Sequence, residues 1–457
     1  MTQRFDAIVV GAGQAGPPLA GRLTAAGRTV AVVERSLVGG TCVNYGCIPT
    51  KTLVASAHAA HVARRGAEYG VGTADVTVDM AKVKARKDRI MLGDRHSVED
   101  WINGMPGCTL IRGHARFVGP KTLRIDDDQT IEAEEIFLNV GGRAVVPDIP
   151  GLADVDFLTN VGILELDTVP EHLVIIGGSY IALEFAQMYR RFGAAVTVVE
   201  KGHRLTSRED EDVSAAIKDI LEGEGITVVL GADAMRITRT DSGFALTPRE
   251  GATPIAGSHL LVATGRRPNT DDLGLAAAGV QTDERGHVLV DDQLRTTVEG
   301  IWAMGDCNGR GAFTHTSYND FEIVAANLLD NEPRRVSDRI PTYALYIDPP
   351  LGRAGLTEAQ VRESGRKALV GKRPMTRVGR AVEKGETQGF MKVVVDAETE
   401  EILGAAILGV GGDEVIHGIL DTMSARAPYT TLTHTVHIHP TVSELVPTML
   451  EELTPLQ

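Results

Sequence analysis

Short, mostly apolar runs separated by longer stretches of mixed polarity dominate the first half of this chain. Residues 5–10 and 29–33 form two such runs, and residues 173–176 and 196–199 form two more. Continuous apolar character over a few positions is typical of parallel strands that are buried on both faces. The intervening stretches have the composition of helices. The pattern therefore predicts an α/β fold built on parallel sheets.

A glycine-rich motif directly follows the first run. It reads GAGQAG, and its three spaced glycines are Gly11, Gly13 and Gly16. Such glycines permit a tight turn, close approach of the backbone to a pyrophosphate, and close packing of helix on strand. The second run leads to Glu34, a carboxylate placed to bind a ribose hydroxyl. The sequence thus predicts a dinucleotide site, and prolines at 17–18 predict that the helix starts late or irregularly.

The same unit occurs a second time. Gly177 follows the run 173–176, with the small residues Ser179 and Ala182 at the later glycine positions. Glu200 ends the next run, 23 positions after the first glycine, as in the first copy. The segment GRTVAVVE of the first copy also matches GAAVTVVE of the second. Because this internal repeat is more specific than either motif alone, two dinucleotide sites are predicted.

Two cysteines lie in the glycine-bounded segment GGTCVNYGCIPTK. Cys42 and Cys47 precede a predicted helix at 53–63, and unpaired N–H groups at a helix start favour a thiolate over a thiol. We interpret them as a redox pair. A zinc half-site or two structural cysteines are the alternatives, but zinc needs further ligands. The remaining cysteines, Cys108 and Cys307, stand far apart in the sequence.

The other segments predict further elements. The charged stretch 79–101 predicts a helix with a solvated face, and the stretches 109–126 and 130–140 predict hairpin strands. A linker rich in Gly and Pro at 141–150 predicts a domain boundary near 148. The later predictions are a strand and turn at 260–269 that includes Gly265, a strand at 300–306 that ends in Asp306, a helix at 317–329, and hairpin strands at 389–395 and 402–408 in a β-rich region beyond Pro341. Asp306 is interpreted either as a contact to a polar ligand or as a structural cap.

Three histidines and a carboxylate lie close together near the end of the chain. They are His434, His437, His439 and Glu444. A metal site and a solvated histidine run are two interpretations, but His437 and His439 alternate along an extended segment and need not converge. We favour the third, an imidazole oriented by a carboxylate for proton transfer, because thiol–disulfide chemistry requires such a group.

Length, charge and composition argue against several classes of function. The length of 457 residues predicts about three domains, and the net charge of −15 argues against nucleic-acid or anionic-membrane partners. No uninterrupted apolar run approaches the roughly 20 residues of a membrane span. Four cysteines are too few for a secreted disulfide scaffold, and no secretory signal pattern precedes Phe5, so a cytoplasmic location is expected.

The motifs together resemble the pyridine nucleotide-disulfide oxidoreductase family (class I) over essentially the whole chain. They are GGTCxNxGCxPxK, the paired dinucleotide units, ATGRRPN at 263–269, GD at 305–306 and HPTxSE at 439–444. The resemblance implies an α/β protein with two Rossmann-like dinucleotide-binding domains and a C-terminal α+β dimerisation domain. The implied bounds are 1–148 for the first part of an FAD-binding domain, 149–270 for an NAD(P)-binding domain, 271–337 for a return to the FAD-binding domain, and 338–457 for the dimer interface.

The resemblance also implies residue roles. The residues expected around FAD are Gly11, Gly13, Gly16, Glu34, Thr41, Lys51 and Asp306. Those expected around the nicotinamide nucleotide and its passage to the flavin are Gly177, Ser179, Tyr180, Ala182, Glu184, Glu200 and Gly265, with Tyr180 covering the nicotinamide site and Glu184 paired with Lys51. The expected catalytic residues are Cys47 beside the flavin, Cys42 as the sulfur that attacks the substrate, and His439 oriented by Glu444.

The implied activity passes electrons from NAD(P)H through FAD to a Cys42–Cys47 disulfide and on to a disulfide or related oxidant. NADH is favoured because the Glu200 carboxylate would repel a 2′-phosphate. A homodimer is expected that acts on a small molecule or small disulfide, with no nucleic-acid or membrane partner and no resident metal.

Departures from the usual motifs leave the substrate open. Tyr45 stands where valine is common, Pro350 replaces the usual acid after Pro349, and no cysteine follows Cys307. One alternative is a mercuric-reductase-like enzyme that reduces a metal ion (Hg or Cu), or a reductase of oxidative stress. A flavoprotein oxidase and a redox sensor are the others.

Overall fold

The computed structural model describes residues 2–457, and the first half of the chain folds around a five-stranded parallel sheet. Its strands, from one edge to the other, are Ile301–Ala303, Glu135–Leu138, Ala7–Val10, Val30–Glu34 and Cys108–Arg112. Apolar side chains fill both faces of the central strands, as the continuous runs predict. The edge strand Ile301–Ala303 comes from far along the chain, so the chain returns to this sheet after passing through a second unit.

The first helix, Gly16–Ala25, starts immediately after the glycine motif. Pro17 and Pro18 occupy its first turn, where backbone N–H groups have no partner within the helix, so the missing N–H groups of proline carry little penalty. The prediction of a late start was therefore wrong.

The stretches predicted as hairpins divide between two sheets. Cys108–Arg112 and Glu135–Leu138 join the parallel sheet, whereas Ala115–Gly119, Thr122–Ile125 and Gln129–Glu132 form an antiparallel meander. The strand Thr2–Arg4 extends the meander by pairing in parallel with its last strand. Cys108–Arg112 alternates in polarity because it is an edge strand with one exposed side, and this alternation misled the prediction.

The second unit repeats the architecture. Its parallel sheet has the order Thr227–Val229, Ala195–Val199, His172–Ile176 and His259–Val262. The helices Tyr180–Phe192 and Glu211–Gly223 pack against this sheet. An antiparallel sheet of Arg236–Thr240, Gly243–Thr247 and Ile255–Gly257 is added, and the pair Gly142–Ala144 with Arg266–Pro268 lies where the chain enters and leaves the unit.

Two predicted helices needed correction. The helix Met80–Asn103 begins after its cap Asp79, but Lys87 and Met91 are buried, so the helix is not simply a solvated face. The helix predicted at 317–329 begins earlier, as Thr314–Ala325, and continues into the wider turn Ala326–Asp330.

The last part of the chain is a six-stranded antiparallel sheet covered by helices. Its strand order is Thr342–Leu345, Leu351–Gly355, Ile402–Leu408, Phe390–Asp396, Ala368–Pro374 and Thr454–Pro455. The helices Gly412–Ser424 and Leu445–Glu451 pack against it. Short helices elsewhere in the chain include Gly40–Tyr45, Leu275–Ala278, Glu358–Glu363, Gly379–Glu383 and Thr430–Thr433.

These three parts confirm the predicted fold class, two Rossmann-like α/β units and a C-terminal α+β unit. Within residues 2–457, no helix combines the length and apolar character that crossing a bilayer requires.

Candidate redox site

The two cysteines of the glycine-bounded segment lie on different helices. Cys42 lies in the short helix Gly40–Tyr45, and Cys47 is the first residue of the long helix Cys47–Arg64. The predicted helix at 53–63 was therefore too short, and Cys47 is the cysteine at the start of the long helix. Both sulfurs are free thiols in this structure. The helix N-terminus favours negative charge on Cys47.

The two thiols have opposite acidities. The hydrogen bond from Cys42, assisted by the Thr314 hydroxyl and the Lys51 charge, lowers the pKa of Cys47 to about 6 against the opposing effect of burial. The hydrogen bond with Cys47, together with burial, raises the pKa of Cys42 well above the usual value for a thiol. The reduced pair therefore carries one negative charge near neutral pH, and Cys47 holds it.

An ion pair fixes the cation beside Cys47. Lys51 Nζ lies 2.5 Å from Glu184 Oε2 and 4.4 Å from the centroid of the Tyr346 ring. The backbone N–H of Tyr346 donates to the other oxygen of Glu184 at 3.0 Å. Glu184 is almost fully buried, so it depends on these partners. No motif in the sequence marks Tyr346, which comes from the C-terminal unit.

A hydroxyl from a distant helix also reaches the pair. Thr314 Oγ1 lies 3.0 Å from Cys47 Sγ, and Thr314 is the first residue of its helix, Thr314–Ala325. The sequence did not single out this residue, because its helix was predicted to start three positions later.

One cavity of about 1050 Å³ connects the first glycine motif to both cysteines and to the second unit. Ligand pockets typically measure about 300–1,000 Å³, so this one has room for a large ligand. The predicted site residues that line it are Gly11, Gly13, Glu34, Thr41, Cys42, Cys47, Lys51, Tyr180, Glu184 and Asp306. Gly16, Gly177, Ser179, Ala182, Glu200, Gly265, His439 and Glu444 are not among its lining residues.

The cavity end at the first glycine motif fits a dinucleotide such as FAD. A side chain at Gly11 would meet the Asn139 carbonyl oxygen at 2.2 Å, so the turn requires glycine. Glu34 lies beneath the turn, and its Oε2 accepts from the Ala12 N–H at 2.9 Å. A carboxylate fixed in this way retains lone pairs for a ribose hydroxyl.

The opposite wall carries a second carboxylate. Asp306 lies in the short helix Gly305–Asn308 and faces the cavity, and its Oδ2 is 3.3 Å from Nε of Arg266. Arg266 also donates to the Gly142 carbonyl at 2.5 Å and to Thr41 Oγ1 at 3.4 Å. The cap interpretation of Asp306 was wrong, because the residue before the helix is Met304.

The second glycine motif forms a similar turn. A side chain at Gly177 would lie 2.4 Å from the carbonyl oxygen of Ala263, and Gly177 has a φ of +122°. Ser179 precedes the helix Tyr180–Phe192, in which Ala182 is buried. Glu200 accepts from the Gly202 N–H at 2.7 Å. Gly265, with a φ of +127°, ends the neighbouring strand and turn.

Aromatic rings line part of the cavity and pack against one another. The Tyr180 ring lies 5.4 Å from that of Phe313, and Phe313 stacks on His315 and on Tyr343. Burial raises the pKa of Tyr180. Its ring therefore serves as a neutral, largely apolar wall.

The histidine segment lies apart from this cavity within one chain. Nδ1 of His439 is 2.9 and 3.1 Å from the two carboxylate oxygens of Glu444, and the His439 side chain is 82% exposed. Val436 and Ile438 beside it are 96% and 79% exposed. His434 and His437 do not converge with another ligand into a metal-binding group within residues 2–457.

One acidic group in the same residues does have metal-ligand spacing. It consists of Asp210, Asp212 and Glu358. The Lys392 ammonium lies 2.8–2.9 Å from all three carboxylates, so a lysine side chain already supplies a cation to the group. The group joins the second unit to the C-terminal unit.

Comparison with known proteins identifies the class. The family model described as pyridine nucleotide-disulphide oxidoreductase matches residues 5–320, and the model of its dimerisation domain matches residues 341–450. The chain therefore belongs to the pyridine nucleotide-disulfide oxidoreductase family, which confirms the resemblance. Membership makes it an oxidoreductase of the flavoprotein disulfide reductase type.

Particular relatives align over nearly their whole length. The probable pyridine nucleotide-disulfide oxidoreductase RclA of Escherichia coli (strain K12) is 36% identical over 449 residues, which cover 96% of this chain and 97% of that protein. Mercuric reductase of Streptomyces lividans and dihydrolipoyl dehydrogenase of Haloferax volcanii are each 34% identical, over 96% of this chain and 94% of theirs. The Cu(II) complex of the HOCl-induced flavoprotein disulfide reductase RclA from Escherichia coli superimposes with a TM-score of 0.90, at 35% identity over 99% of both chains.

Proposed function

We propose that this protein is a cytoplasmic NAD(P)H-dependent flavoenzyme that uses Cys42 and Cys47 to reduce a small oxidised substrate. The observation that carries the proposal is the continuous cavity, which joins the first glycine motif, both sulfurs and Tyr180. When bound there, FAD supplies hydride acceptance from the nicotinamide and electron-pair transfer to the sulfurs. The domain division at 148, 270 and 337 is part of the same proposal.

The roles of the two sulfurs follow from their surroundings. Cys47 holds the negative charge of the reduced pair, and Cys42 stays protonated until a base removes its proton. The Cys42 thiolate then attacks one sulfur of a disulfide substrate, and the other sulfur leaves as a thiol. Cys47 displaces the second substrate thiol from Cys42, and the Cys42–Cys47 disulfide re-forms. The substrate thereby gains two electrons and two protons.

The base in this proposal is His439 of the partner subunit in a homodimer. Two observations support it. Residues 341–450 match a dimerisation domain, and His439 is exposed while its Nδ1 is hydrogen-bonded to Glu444. A carboxylate on Nδ1 orients the ring and leaves Nε2 free for proton transfer.

The final electron acceptor has two candidates. A small disulfide is the first. The second is a metal ion such as Cu(II) or Hg(II), or a stress oxidant, because the relatives include mercuric reductases and an HOCl-induced reductase solved as a Cu(II) complex. Two neighbouring thiols suit soft metal ions. Pro350 and Tyr45 are also departures from the motifs of typical disulfide-substrate enzymes, so they favour the second candidate.

Anaerobic titration with NADH tests the proposal. The purified holoenzyme should develop a long-wavelength thiolate-to-flavin absorbance band, which a flavin-only oxidase lacks. A Cys42→Ser/Cys47→Ser double variant is the matched control and should bleach without the band. A wild-type enzyme without the band would contradict the proposal. If the band is observed, turnover rates with lipoamide, glutathione disulfide, Cu(II) and Hg(II) rank the candidate electron acceptors.

A further inference from the structure

Two helix N-termini meet at the Cys47 sulfur. Cys47 begins its own helix, Cys47–Arg64, and Thr314 begins the helix Thr314–Ala325. The distance from Thr314 Oγ1 to Cys47 Sγ is 3.0 Å, although 267 positions separate the two residues. Both helices are long enough to present a positive dipole end to the sulfur.

The position of Thr314 is fixed before any charge forms. The Thr316 hydroxyl donates to the Phe313 carbonyl at 2.8 Å and lies 3.1 Å from the Phe313 N–H, which closes the helix start. The Phe313 ring is held on two sides by stacking against Tyr343 and His315. The backbone that carries Thr314 therefore cannot move far, and its hydroxyl is preorganised.

The hydroxyl can assist only one protonation state of Cys47. When Cys47 is a thiolate it has no proton to give, so the contact places Thr314 as the donor and the sulfur as the acceptor. Such a bond stabilises the charged form. The Thr314 hydroxyl also opposes the rise in the pKa of Cys42 that Cys47 and burial cause, but its 3.0 Å contact is with the Cys47 sulfur.

We propose that Thr314 is a further catalytic residue, whose hydroxyl donates a hydrogen bond that keeps the negative charge of the reduced pair on Cys47. This inference rests on the proposed function, since it assigns a third group to the same thiol site. The Thr314 bond adds to the Cys42 hydrogen bond and the Lys51 charge in stabilising the thiolate at Cys47. Lys51 supplies charge to Cys47 from the long helix, and Thr314 supplies a directed donor from the helix Thr314–Ala325.

The test uses the holoenzyme and the variants Thr314→Val and Thr314→Ser in a Cys42→Ser background. Valine has the shape of threonine without the donor, and serine keeps the donor. The pH dependence of Cys47 alkylation by iodoacetamide, followed by peptide mass spectrometry, reports the thiolate directly. We expect the midpoint to rise by about 1 pH unit in Thr314→Val, as for the loss of one hydrogen bond to a charged group, and to stay near the parent value in Thr314→Ser.

Two further variants make the result decisive. Thr238→Val, on an exposed strand of the second unit, is the matched control and should leave the midpoint unchanged. Thr314→Ala removes the donor without a branched methyl group, and it replaces the valine variant if that protein loses FAD. Unchanged midpoints in the variants without the donor would overturn the inference, even where NADH produces the absorbance band in the wild-type enzyme. A shifted midpoint in a protein that NADH does not reduce would instead contradict only the proposed function.

Discussion

The thiols of Cys42 and Cys47, five positions apart, differ in acidity because different groups surround them. Cys47 receives a helix N-terminus, the Lys51 charge and the Thr314 hydroxyl, whereas Cys42 lies inside a short helix and donates to Cys47. The asymmetry decides which sulfur is nucleophilic toward the substrate and which faces the flavin in the proposed enzyme. It also makes the two single variants distinguishable.

We expect Cys42→Ser to show a long-wavelength band as prepared, and Cys47→Ser to show none. In the first variant Cys47 remains a thiolate beside oxidised flavin, and the serine hydroxyl still donates to it. Because the pKa of Cys47 is lowered to about 6, the band should be present above that pH and disappear as the pH falls through it. Visible spectra recorded across a pH series check this. Identical spectra for the two variants would contradict the roles assigned to the sulfurs.

Glu200 is the residue on which the proposed preference for NADH depends. The Gly202 N–H holds its Oε1 at 2.7 Å, and a side chain at Gly178 would come within 2.9 Å of its other oxygen. A carboxylate fixed there can accept from both ribose hydroxyls and repels a 2′-phosphate. We expect a higher kcat/KM with NADH than with NADPH, and a smaller ratio in Glu200→Gln. Lys201 and Arg204 flank the site, and a wild-type preference for NADPH would assign them a phosphate-binding role instead.

Among whole elements, the helix Met80–Asn103 behaves least as its composition predicts. Lys87, in its middle, has no exposed side-chain surface. Its Nζ donates to the Leu164 carbonyl at 2.7 Å and lies 2.6 Å from Asp88. The helix belongs to the first unit and Leu164 to the entry of the second, so a buried ammonium joins the two.

We expect Lys87→Met to lower the free energy of unfolding by about 1–3 kcal/mol, because the Leu164 carbonyl loses its donor in a buried place. Methionine keeps most of the packing. Lys82→Met on the same helix is the control, since the Lys82 side chain is 86% exposed and should change stability little. Denaturant titrations of the FAD-loaded proteins measure both. Equal denaturation midpoints for the two variants would show that the contact between Lys87 and Leu164 contributes little to stability.

Elements were predictable where local pattern and local structure agree. Both glycine turns belong to a unit with the order strand, glycine turn, helix, strand and acid, at Gly11 to Glu34 and at Gly177 to Glu200. Periodicity and spacing along the sequence are sufficient to predict such a unit. Cys108–Arg112 was misassigned because an edge strand of a parallel sheet alternates like a hairpin strand. Thr314 and Tyr346 were missed because nothing local marks a residue whose partner lies hundreds of positions away. The burial of Lys87 depends on the same kind of distant contact.

On the scale of the whole molecule, all three units contribute to one cavity. The first gives both cysteines, the second Tyr180 and Glu184, and the C-terminal unit Tyr346. The acidic group around Lys392 and the pair of Lys51 with Glu184 hold these units to one another. His439 and Glu444, the expected base and the carboxylate that orients it, are outside the cavity lining of their own chain. This is the physical reason to expect a second subunit at the site.

The last prediction is that Cys42→Ala and His439→Ala, each inactive alone, complement one another in a mixed dimer. If His439 of the partner subunit serves Cys42, one site of the mixed dimer has both wild-type residues and the other has neither. Substrate reduction should therefore return to about half the wild-type activity per mixed dimer, because one of two sites is intact. Subunits are exchanged under mild dissociating conditions, and differently tagged chains confirm that mixed dimers form. Val436→Ser, which alters the exposed segment without touching the imidazole, controls for a loss of association. Mixed dimers that stay inactive would rule out a shared site, because a base acting within its own chain leaves every site with one residue missing.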